Sequence, residues 1–307
     1  MEPVISTGVI VLLGSAVALL ILVDWYLSGK LNLSRNVDNI VVWSLNLLVA
    51  AHAVELVTPL YHWAYLQRLS PLDTESAWLM ALAVLVYDFL YYWFHRGSHK
   101  LSLLWKVHSV HHQTTKLIPS LGLRSSAFDF AVIWMITIPM ILLGFGSQHL
   151  IAALFVHGLY QLFLHNEWNL SLGKLEWLFN TPRHHSLHHA TNPEYIDKNF
   201  GSIFIIWDRL FGTFVKCKKE PEIGIHGPNY SHDPLLTNLA PFAAPVLSSG
   251  WQRARGRFSA ALYGVIFVAT MLAIWQEQLA NPLLLLVVLL ALFINSIVVI
   301  GRREDRQ

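Results

Sequence analysis

The chain reads His95-Arg-Gly-Ser-His99 and, after eight intervening residues, His108-Ser-Val-His111-His112. In an α-helix, residues three or four positions apart lie on the same face. Each segment would therefore present its imidazoles together if it is helical. Imidazole is the commonest protein ligand for transition metals. The two segments predict helices that meet at a metal site, and they guide the interpretation of the remaining chain.

A third histidine segment, residues 181–189, reads TPRHHSLHH. Thr181 is a good N-cap residue, and Pro182 fits the first turn of a helix. A short helix is expected to begin here, with His184 about a quarter turn away from the face that holds the other histidines. The histidines on that face are His185, His188 and His189.

His165 adds one candidate ligand, because it ends a long apolar run that precedes the third segment. The three segments supply eight imidazoles, or nine with His165, which is more than the roughly four to six ligands of one ion. Two ions are therefore expected. A single histidine in an apolar helix is more often a hydrogen-bonded core residue, but this does not explain three segments with the same helical spacing. The spacing does not distinguish iron from zinc.

Cysteine and carboxylate motifs narrow the kind of metal site. The chain has one cysteine, Cys217, which excludes an intramolecular disulfide and every multi-cysteine zinc or iron–sulfur site. The His-Glu-x-x-His motif of zinc proteases and the Glu-x-x-His pairs of soluble di-iron bundles are absent. A net charge of +2 without a basic run indicates no nucleic-acid partner. The histidines lie in ordinary, aromatic-rich sequence and not in a low-complexity tract.

The composition indicates a membrane protein. Hydrophobic residues make up 54% of the 307 residues and charged residues 13%, against roughly 25% charged residues in a soluble domain. Seven apolar runs approach the roughly 20 residues that cross a bilayer, although the central two are short and could form a tilted or re-entrant hairpin. The first run lacks a preceding basic cluster and a cleavage pattern, so we expect a retained helix and not a signal peptide. The runs are residues 4–23, 40–60, 77–94, 130–144, 149–164, 258–275 and 282–300.

The distribution of Lys and Arg predicts the orientation. Lys30 and Arg35 place the first loop on the cytoplasmic side. Seven crossings then place residues 96–124, residues 165–257 and the C-terminal tail on that same side. The expected fold is an all-α integral membrane protein of about seven transmembrane helices with a cytoplasmic, helical, histidine-rich cap.

The apolar runs and the histidine motifs divide the chain into four segments, and the sequence contains no internal repeat. The segments are N-terminal transmembrane helices at 1–76, a histidine-bearing domain at 77–215, a proline-punctuated cytoplasmic connector at 216–257, and a C-terminal transmembrane hairpin with its tail at 258–307.

The three histidine motifs, with the trailing Asp197-Lys-Asn-Phe-Gly and Ile206-Trp-Asp-Arg-Leu-Phe-Gly-Thr-Phe, resemble the fatty acid hydroxylase/sterol desaturase superfamily of membrane di-iron enzymes. The resemblance covers about residues 87–215. It implies a non-haem centre of two iron ions, dioxygen as co-substrate and a membrane lipid as substrate. The candidate iron ligands are His95, His99, His108, His111, His112, His165, His185, His188 and His189.

Within the superfamily, residues 88–96, 159–165 and 179–185 look most like the pterin-dependent enzymes that cleave ether lipids. That resemblance implies hydroxylation beside an ether oxygen, which gives an unstable hemiacetal and releases an aldehyde. Hydroxylation or desaturation of sterols or fatty acyl chains would use the same metal centre and is an alternative. A histidine-lined metal transporter is a further alternative, but it would need facing ligands inside several apolar runs. The polar residues that qualify are His52, Glu55, Asp88 and His157.

Two polar residues near the expected ligands are candidates for the catalytic machinery. Gln161 stands where some family members have a further histidine, so either His157 replaces that ligand or the site has one ligand fewer. We expect one ligand fewer. Asp88 lies seven positions before His95, two turns along the same face, where it could accept a hydrogen bond from that imidazole and fix its tautomer.

Three further polar residues have a structural and a functional interpretation. The resemblance implies that Asn199 and Asp208 belong to motifs that position the histidine-rich cap on the membrane domain. The structural alternative is that they are ordinary turn and helix-capping residues. Glu55 is an acidic residue inside an apolar run, a position that is often functional. The favoured interpretation is a structural pair with His52, three positions earlier.

The electron source is expected outside this chain. No Gly-x-Gly-x-x-Gly follows a predicted strand, so no nicotinamide or flavin domain is indicated. The single cysteine excludes a fused iron–sulfur carrier. A separate reductase, or a reduced pterin such as tetrahydrobiopterin, must deliver the electrons, and the sequence does not choose between them.

Reporter fusions test the predicted orientation. Fusions after Arg124, Lys219 and Gln307 should all report a cytoplasmic location, because the Lys and Arg distribution places these points on one side. A periplasmic or lumenal signal at Lys219 would contradict a shared histidine site, since the motifs could no longer meet.

Overall fold

The computed structural model describes residues 7–243 except 169, 228 and 230–232, and the regular elements in this part of the chain are helical. It also contains two isolated bridges, which pair Phe179 with Phe204 and Ala190 with Ile223. The all-α prediction is confirmed for these residues. The α-helices are α1 (Thr7–Ser28), α2 (Leu33–Gln67), α3 (Ala77–Lys100), α4 (Ser102–His112), α5 (Trp134–Leu142), α6 (Ser147–Leu164), α7 (Pro182–His188), α8 (Ile206–Leu210) and α9 (Pro234–Ala243), and 3-10 helices cover Pro119–Leu123, Asp129–Ala131 and Gly173–Trp177.

Helix α3 carries the first histidine motif. Ser76 caps it, since the serine hydroxyl accepts a hydrogen bond from the backbone N–H of Leu79. The helix continues past the apolar run to Lys100, so His95 and His99 lie on one helix as expected. Within the described part of the chain, α3 is the one helix that is long and apolar enough to cross a bilayer, judged by length and composition.

The first of the two central apolar runs forms a shorter helix than predicted. Residues 130–144 do not form one helix, because a 3-10 turn ends at Ala131 and α5 covers only nine residues, with Pro139 among them. Nine helical residues extend about 14 Å, roughly half of the hydrocarbon thickness of a bilayer. Helix α6 has 18 residues and comes closer to a spanning length. The count of seven spans stays a prediction, and the runs 258–275 and 282–300 lie outside the described residues.

Helices α3, α5 and α6 share a hydrophobic core. Ala83 on α3 and Ala153 on α6 are fully buried, and their small side chains let the two helices approach closely. Ile136 and Met140 on α5 fill the same core. Because this core fixes α3 against α6, it also fixes the ends of both helices, which carry histidines of the predicted site.

Asp88 on α3 forms hydrogen bonds with residues 203–207, which follow α7 in the chain. Its buried carboxylate accepts hydrogen bonds from the backbone N–H groups of Ile203 at 2.8 Å and Phe204 at 3.2 Å. It also accepts one from the indole N–H of Trp207 at 2.8 Å. Three donors satisfy a carboxylate that would otherwise be costly to bury. The start of α8 is thereby held against α3.

Helix α9, which lies within the predicted connector, packs on the helical domain. Arg124 is fully buried, and its guanidinium donates to the backbone carbonyl of Val110 at 3.0 Å, the side-chain oxygen of Asn39 at 3.2 Å and the hydroxyl of Thr237 at 3.0 Å. These acceptors belong to α4, α2 and α9. The four-segment division of the chain otherwise stays a prediction, and residues 244–307 lie outside the described part.

Gly122 offers a test of how closely the first 3-10 helix approaches α6. A Cβ atom at Gly122 would lie 2.8 Å from the backbone of Gln161 and Leu162, whereas a Cβ atom at Gly158 would meet nothing within 4 Å. We expect Gly122→Ala to lower stability by about 1–3 kcal/mol, because two backbone segments must separate. Gly158→Ala should be neutral or stabilise α6 by about 1 kcal/mol. Thermal unfolding of both variants in detergent checks this, and equal stability would contradict the close approach.

Candidate metal centre

The nine predicted histidines come together as two groups. One imidazole nitrogen from each member lies within 4.8 Å of those of the other members of its group. The five-histidine group consists of His95, His99, His108, His112 and His188. The four-histidine group consists of His111, His165, His185 and His189. Each of the two groups could hold a metal ion.

Helical spacing explains how the groups are divided. Histidines four positions apart stay in the same group, as for the pair on α3, the pair His108 and His112 on α4, and the pair His185 and His189 at α7. The histidine three positions from the first member of a pair joins the other group. His111 on α4 and His188 on α7 are the two such residues. Helices α4 and α7 therefore contribute to both groups, and the sequence did not predict this division.

The Nε2 atoms converge at short distances within each group. His165 Nε2 lies 3.0 Å from that of His111, 2.8 Å from that of His185 and 3.2 Å from that of His189. In the other group, His108 Nε2 lies 3.0 Å from that of His95. Two nitrogens bound at right angles about 2.1 Å from one ion are about 3.0 Å apart. The observed spacing therefore suits nitrogen ligands that share an ion.

Backbone carbonyl groups set the tautomer of several imidazoles. Because a carbonyl oxygen only accepts a hydrogen bond, the Nδ1 atom that contacts it carries the proton, and Nε2 keeps its lone pair for a metal. The contacts are His95 Nδ1 to Phe200 O at 2.7 Å, His188 Nδ1 to Lys198 O at 2.9 Å, His111 Nδ1 to Arg124 O at 3.1 Å and His165 Nδ1 to Gln161 O at 2.6 Å.

The remaining polar atoms also fit a bound cation. The Nε2 atoms of His99 and His188 are buried and have no hydrogen-bond partner in the described structure. An unsatisfied buried polar atom costs about 1–3 kcal/mol, which an ion at this position would offset. Burial lowers the pKa of His185, His188 and His189 well below the usual range, so these imidazoles are neutral and able to bind a metal near pH 7.

The loop Asp197–Gly201 supports the five-histidine group. Asp197 and Asn199 adopt positive φ angles of 60° and 55°. This conformation brings three acceptors to the group: the Lys198 and Phe200 carbonyl groups, and the Asp197 carboxylate, which lies 3.6 Å from His99 Nδ1. The sequence marked this loop as part of a family motif but did not reveal that it contacts the ligands.

Asp208 and Asn199 hold the loop in place. The Asp208 carboxylate accepts from the backbone N–H groups of Phe200 at 2.8 Å and Gly201 at 2.7 Å. The Asn199 amide donates to the His184 carbonyl at 3.0 Å, and its oxygen accepts from Val215 N–H at 2.9 Å. These contacts are those of positioning residues. They also show His184 linked to the loop through its backbone, outside both histidine groups.

A cavity of about 470 Å³ adjoins both histidine groups. His108 of the five-histidine group and His111 of the four-histidine group line one part of it. Most of the remaining wall is apolar, with Leu104, Val132, Ile133, Ile151, Leu154 and Phe155 among the lining residues. The cavity can therefore hold an apolar chain against the edge that the two groups share.

Comparison with known proteins agrees with this geometry. Residues 80–213 match the fatty acid hydroxylase family. This region, 134 of the 307 residues, is similar to that family. The match contains all nine histidines, Asp88 and the loop Asp197–Gly201.

Curated relatives include lipid-modifying enzymes. The chain is 37% identical over 193 residues to alkylglycerol monooxygenase of Xenopus tropicalis, and the aligned region covers 62% of this chain and 42% of that protein. It is 43% identical over 176 residues to alkylglycerol monooxygenase of Danio rerio, where the aligned region covers 57% of this chain and 39% of that protein. It is 28% identical over 167 residues to ornithine lipid hydroxylase OlsE of Rhizobium tropici, where the aligned region covers 53% of this chain and 50% of that protein. The chain thus spans about half or less of these relatives, and no solved structure matches it.

Within the fatty acid hydroxylase region, Asp88 does not make the predicted contact with His95. The Nδ1 atom of His95 faces the Phe200 carbonyl, and the Asp88 oxygens are occupied by Ile203, Phe204 and the Trp207 indole. The predicted hydrogen bond between Asp88 and His95 was wrong, because residues 200–207, which are distant in sequence, provide the hydrogen-bond partners of both side chains. Asp88 holds the segment that follows Phe200 and so acts on His95 indirectly.

His157 lies outside both histidine groups, and the expectation of one ligand fewer stays a prediction. The His157 ring packs 4.3 Å from the Tyr91 ring, measured between centroids. Gln161 donates from its side chain to the Ser202 hydroxyl at 2.7 Å, and its backbone carbonyl orients His165. The catalytic role predicted for Gln161 and Asp88 stays a prediction. The side chains of His52 and Glu55 lie outside the described ones.

Replacing single histidines tests the division into two groups. His185→Ala should lower the metal content by about half, because only the four-histidine group loses a ligand. His95→Ala should likewise affect the five-histidine group alone. His62→Ala is the control, since His62 is exposed and belongs to neither group. Elemental analysis of anaerobically purified protein measures the loss. Unchanged metal in both site variants, or an equal loss with His62→Ala, would refute the assignment.

Proposed function

We propose that this protein is an integral membrane, dioxygen-dependent lipid monooxygenase whose nine clustered histidines hold two iron ions. The observation that carries the proposal is the pair of histidine groups that share the wall of an apolar cavity. When bound, the irons would supply the activation of dioxygen against a C–H bond. The protein's own residues bind the lipid, orient it and keep the imidazoles in the metal-binding tautomer.

The donor set supports iron but does not require it. Imidazole suits iron, zinc and copper, and zinc binds such nitrogen sites more tightly than ferrous iron. Similarity to the fatty acid hydroxylase family, with relatives named monooxygenase and hydroxylase, favours a redox metal. Two histidine groups with shared helices favour two ions over one.

The cavity favours a lipid chain as substrate. Leu154 lines the cavity and has 41% of its surface exposed, so the cavity wall reaches the outer face of α6. Ile133 and Ile151 line the cavity nearby. An acyl or alkyl chain could enter through this side from the bilayer and extend towards His108 and His111.

Polar residues at the histidine end of the cavity favour a substrate oxygen beside the reacting carbon. Tyr91, His157 and Gln161 line this end of the cavity. The Tyr91 ring lies 5.4 Å from the His95 ring. An ether oxygen next to the oxidised carbon could accept a hydrogen bond from the Tyr91 hydroxyl, whereas an unbranched hydrocarbon offers that hydroxyl no partner.

The proposed reaction is cleavage of an alkyl ether lipid. One oxygen atom of dioxygen enters a C–H bond beside the ether oxygen, and the other leaves as water after two electrons and two protons are supplied. The product is a hemiacetal, which breaks its C–O bond to release an aldehyde and the alcohol of the headgroup. Relatives named alkylglycerol monooxygenase agree with this choice.

A second candidate is hydroxylation of an acyl chain. The relative from Rhizobium tropici is named a hydroxylase of ornithine lipid, and the apolar cavity would also admit an acyl chain. A metal transporter fits less well. In the described structure, Asp88 is occupied by three hydrogen bonds and His157 packs against Tyr91, so these two residues do not continue the histidine groups as a path.

Orientation and electron supply complete the proposal. We place the histidine motifs on the cytoplasmic side because of the Lys and Arg distribution. The electrons come from a reduced pterin or a separate redox protein, and no nucleic acid takes part.

A lipid assay tests the reaction and its regiochemistry. Protein purified with iron should convert an alkylglycerol to an aldehyde in the presence of dioxygen and a reductant, measured by mass spectrometry. Tyr91→Phe should keep its metal but lose at least about tenfold of the preference for ether over acyl lipid, because it removes a hydrogen-bond donor for the ether oxygen. A protein inactive on ether lipid but active on acyl lipid would establish the second candidate. Activity with zinc alone and without dioxygen would refute both.

A further inference from the structure

Trp105 connects the five-histidine group to the outside of the protein. It lies on α4, and its ring centroid is 5.0 Å from that of His99 and 5.4 Å from that of His112. A third member of the group, His108, lies at 6.4 Å. Trp105 therefore packs against three of the proposed ligands.

Trp105 is partly exposed and does not line the cavity, whereas Leu104 and His108 of α4 do. Leu101 and Leu103, on the same stretch of chain, have 56% and 64% of their surface exposed. Trp105 thus contacts the ligands of one proposed ion beside an exposed part of the chain.

In the part of the chain that the structure describes, the other aromatic residues that contact the five-histidine group differ from Trp105. Phe200 packs against His95 and His99 but is completely buried. Tyr91 packs against His95 but lines the cavity, where the substrate is expected. Among the described residues, the ring contacts of the four-histidine group are with other histidines. The two groups are therefore unequal in their access to the surface.

We propose that electrons from an external one-electron carrier enter the metal centre through Trp105 and reach the five-histidine group first. The inference rests on the proposed function, because each oxygenation consumes two electrons. In each of two steps the carrier loses one electron and the centre gains one, by tunnelling through the indole in contact with His99 and His112. The rate of electron tunnelling falls steeply with distance through saturated or empty space. An aromatic ring at this position therefore shortens the distance between the carrier and the five-histidine group over which the electron must tunnel.

The contacts between the groups allow the electrons to continue. The rings of His112 and His189 are stacked, with centroids 4.4 Å apart and planes inclined by 30°. His112 belongs to the five-histidine group and His189 to the four-histidine group. An electron that arrives beside Trp105 therefore has a short path to the second proposed ion.

A tethered photoreductant tests the route without knowledge of the natural carrier. A ruthenium tris-bipyridine label is attached to Leu103→Cys in a Cys217→Ser background, with the iron-loaded protein in its oxidised form and ascorbate as sacrificial donor. Laser flash generates the reduced label, and its reoxidation gives the rate of electron transfer to the iron. A second label at Leu175→Cys, an exposed leucine on a different element, provides the matched control.

Trp105→Leu should lower the rate from the Leu103 label at least tenfold while iron content stays unchanged. Trp105→Phe keeps a ring against His99 and should fall between tryptophan and leucine, which preserves the test if the leucine variant loses metal. Transfer from the Leu175 label should be slow and insensitive to Trp105. Equal rates from the Leu103 label in all three proteins would overturn the inference. Absence of iron or of lipid oxidation in the unmodified protein would instead overturn the proposed function.

Discussion

Hydrogen bonds between backbone carbonyl groups and imidazole Nδ1 atoms are the constraint on which the proposed centre depends. A neutral imidazole has one N–H and one lone pair, and either nitrogen can carry the proton. The carbonyls of Lys198, Phe200 and Arg124 fix the proton on Nδ1, so that Nε2 faces the other imidazoles. None of these carbonyls lies on the helix whose histidine it orients. The metal-binding state is therefore a property of the tertiary structure and not of the histidine motifs alone.

The loop Asp197–Gly201 is costly to form and is stabilised from two sides. Left-handed backbone conformations at Asp197 and Asn199 cost roughly 1–2 kcal/mol per residue. Asp208 offsets this with hydrogen bonds to backbone N–H groups of the loop, and Asn199 adds its own side-chain contacts. Asp88 anchors the segment that follows. Two buried carboxylates thus serve to hold backbone carbonyls against imidazoles, which explains acidic residues near the centre that contact no histidine.

The sequence predicted the nine histidines and the helices that carry them, because ligand spacing and apolar runs are local patterns with known periods. It did not predict the division into two groups, since this depends on how α4 and α7 cross. For Asp88, helical periodicity correctly placed the carboxylate on the side of His95 but could not show that Ile203 and Trp207 reach it first. The short α5 was missed for a similar reason: composition measures an apolar run, whereas the chain turns within it.

The inequality of the two groups has a consequence for the proposed chemistry. With four imidazoles, an ion in the second group has more free coordination positions than one held by five. The family position that offers a further histidine is here Gln161, whose amide is turned to Ser202 and which lines the cavity. An open position on the side of Gln161 would therefore face the substrate. Because Trp105 adjoins the other group and does not line the cavity, the proposed electron entry is separate from the proposed substrate approach. That separation would let a carrier bind and leave without opening the cavity to water.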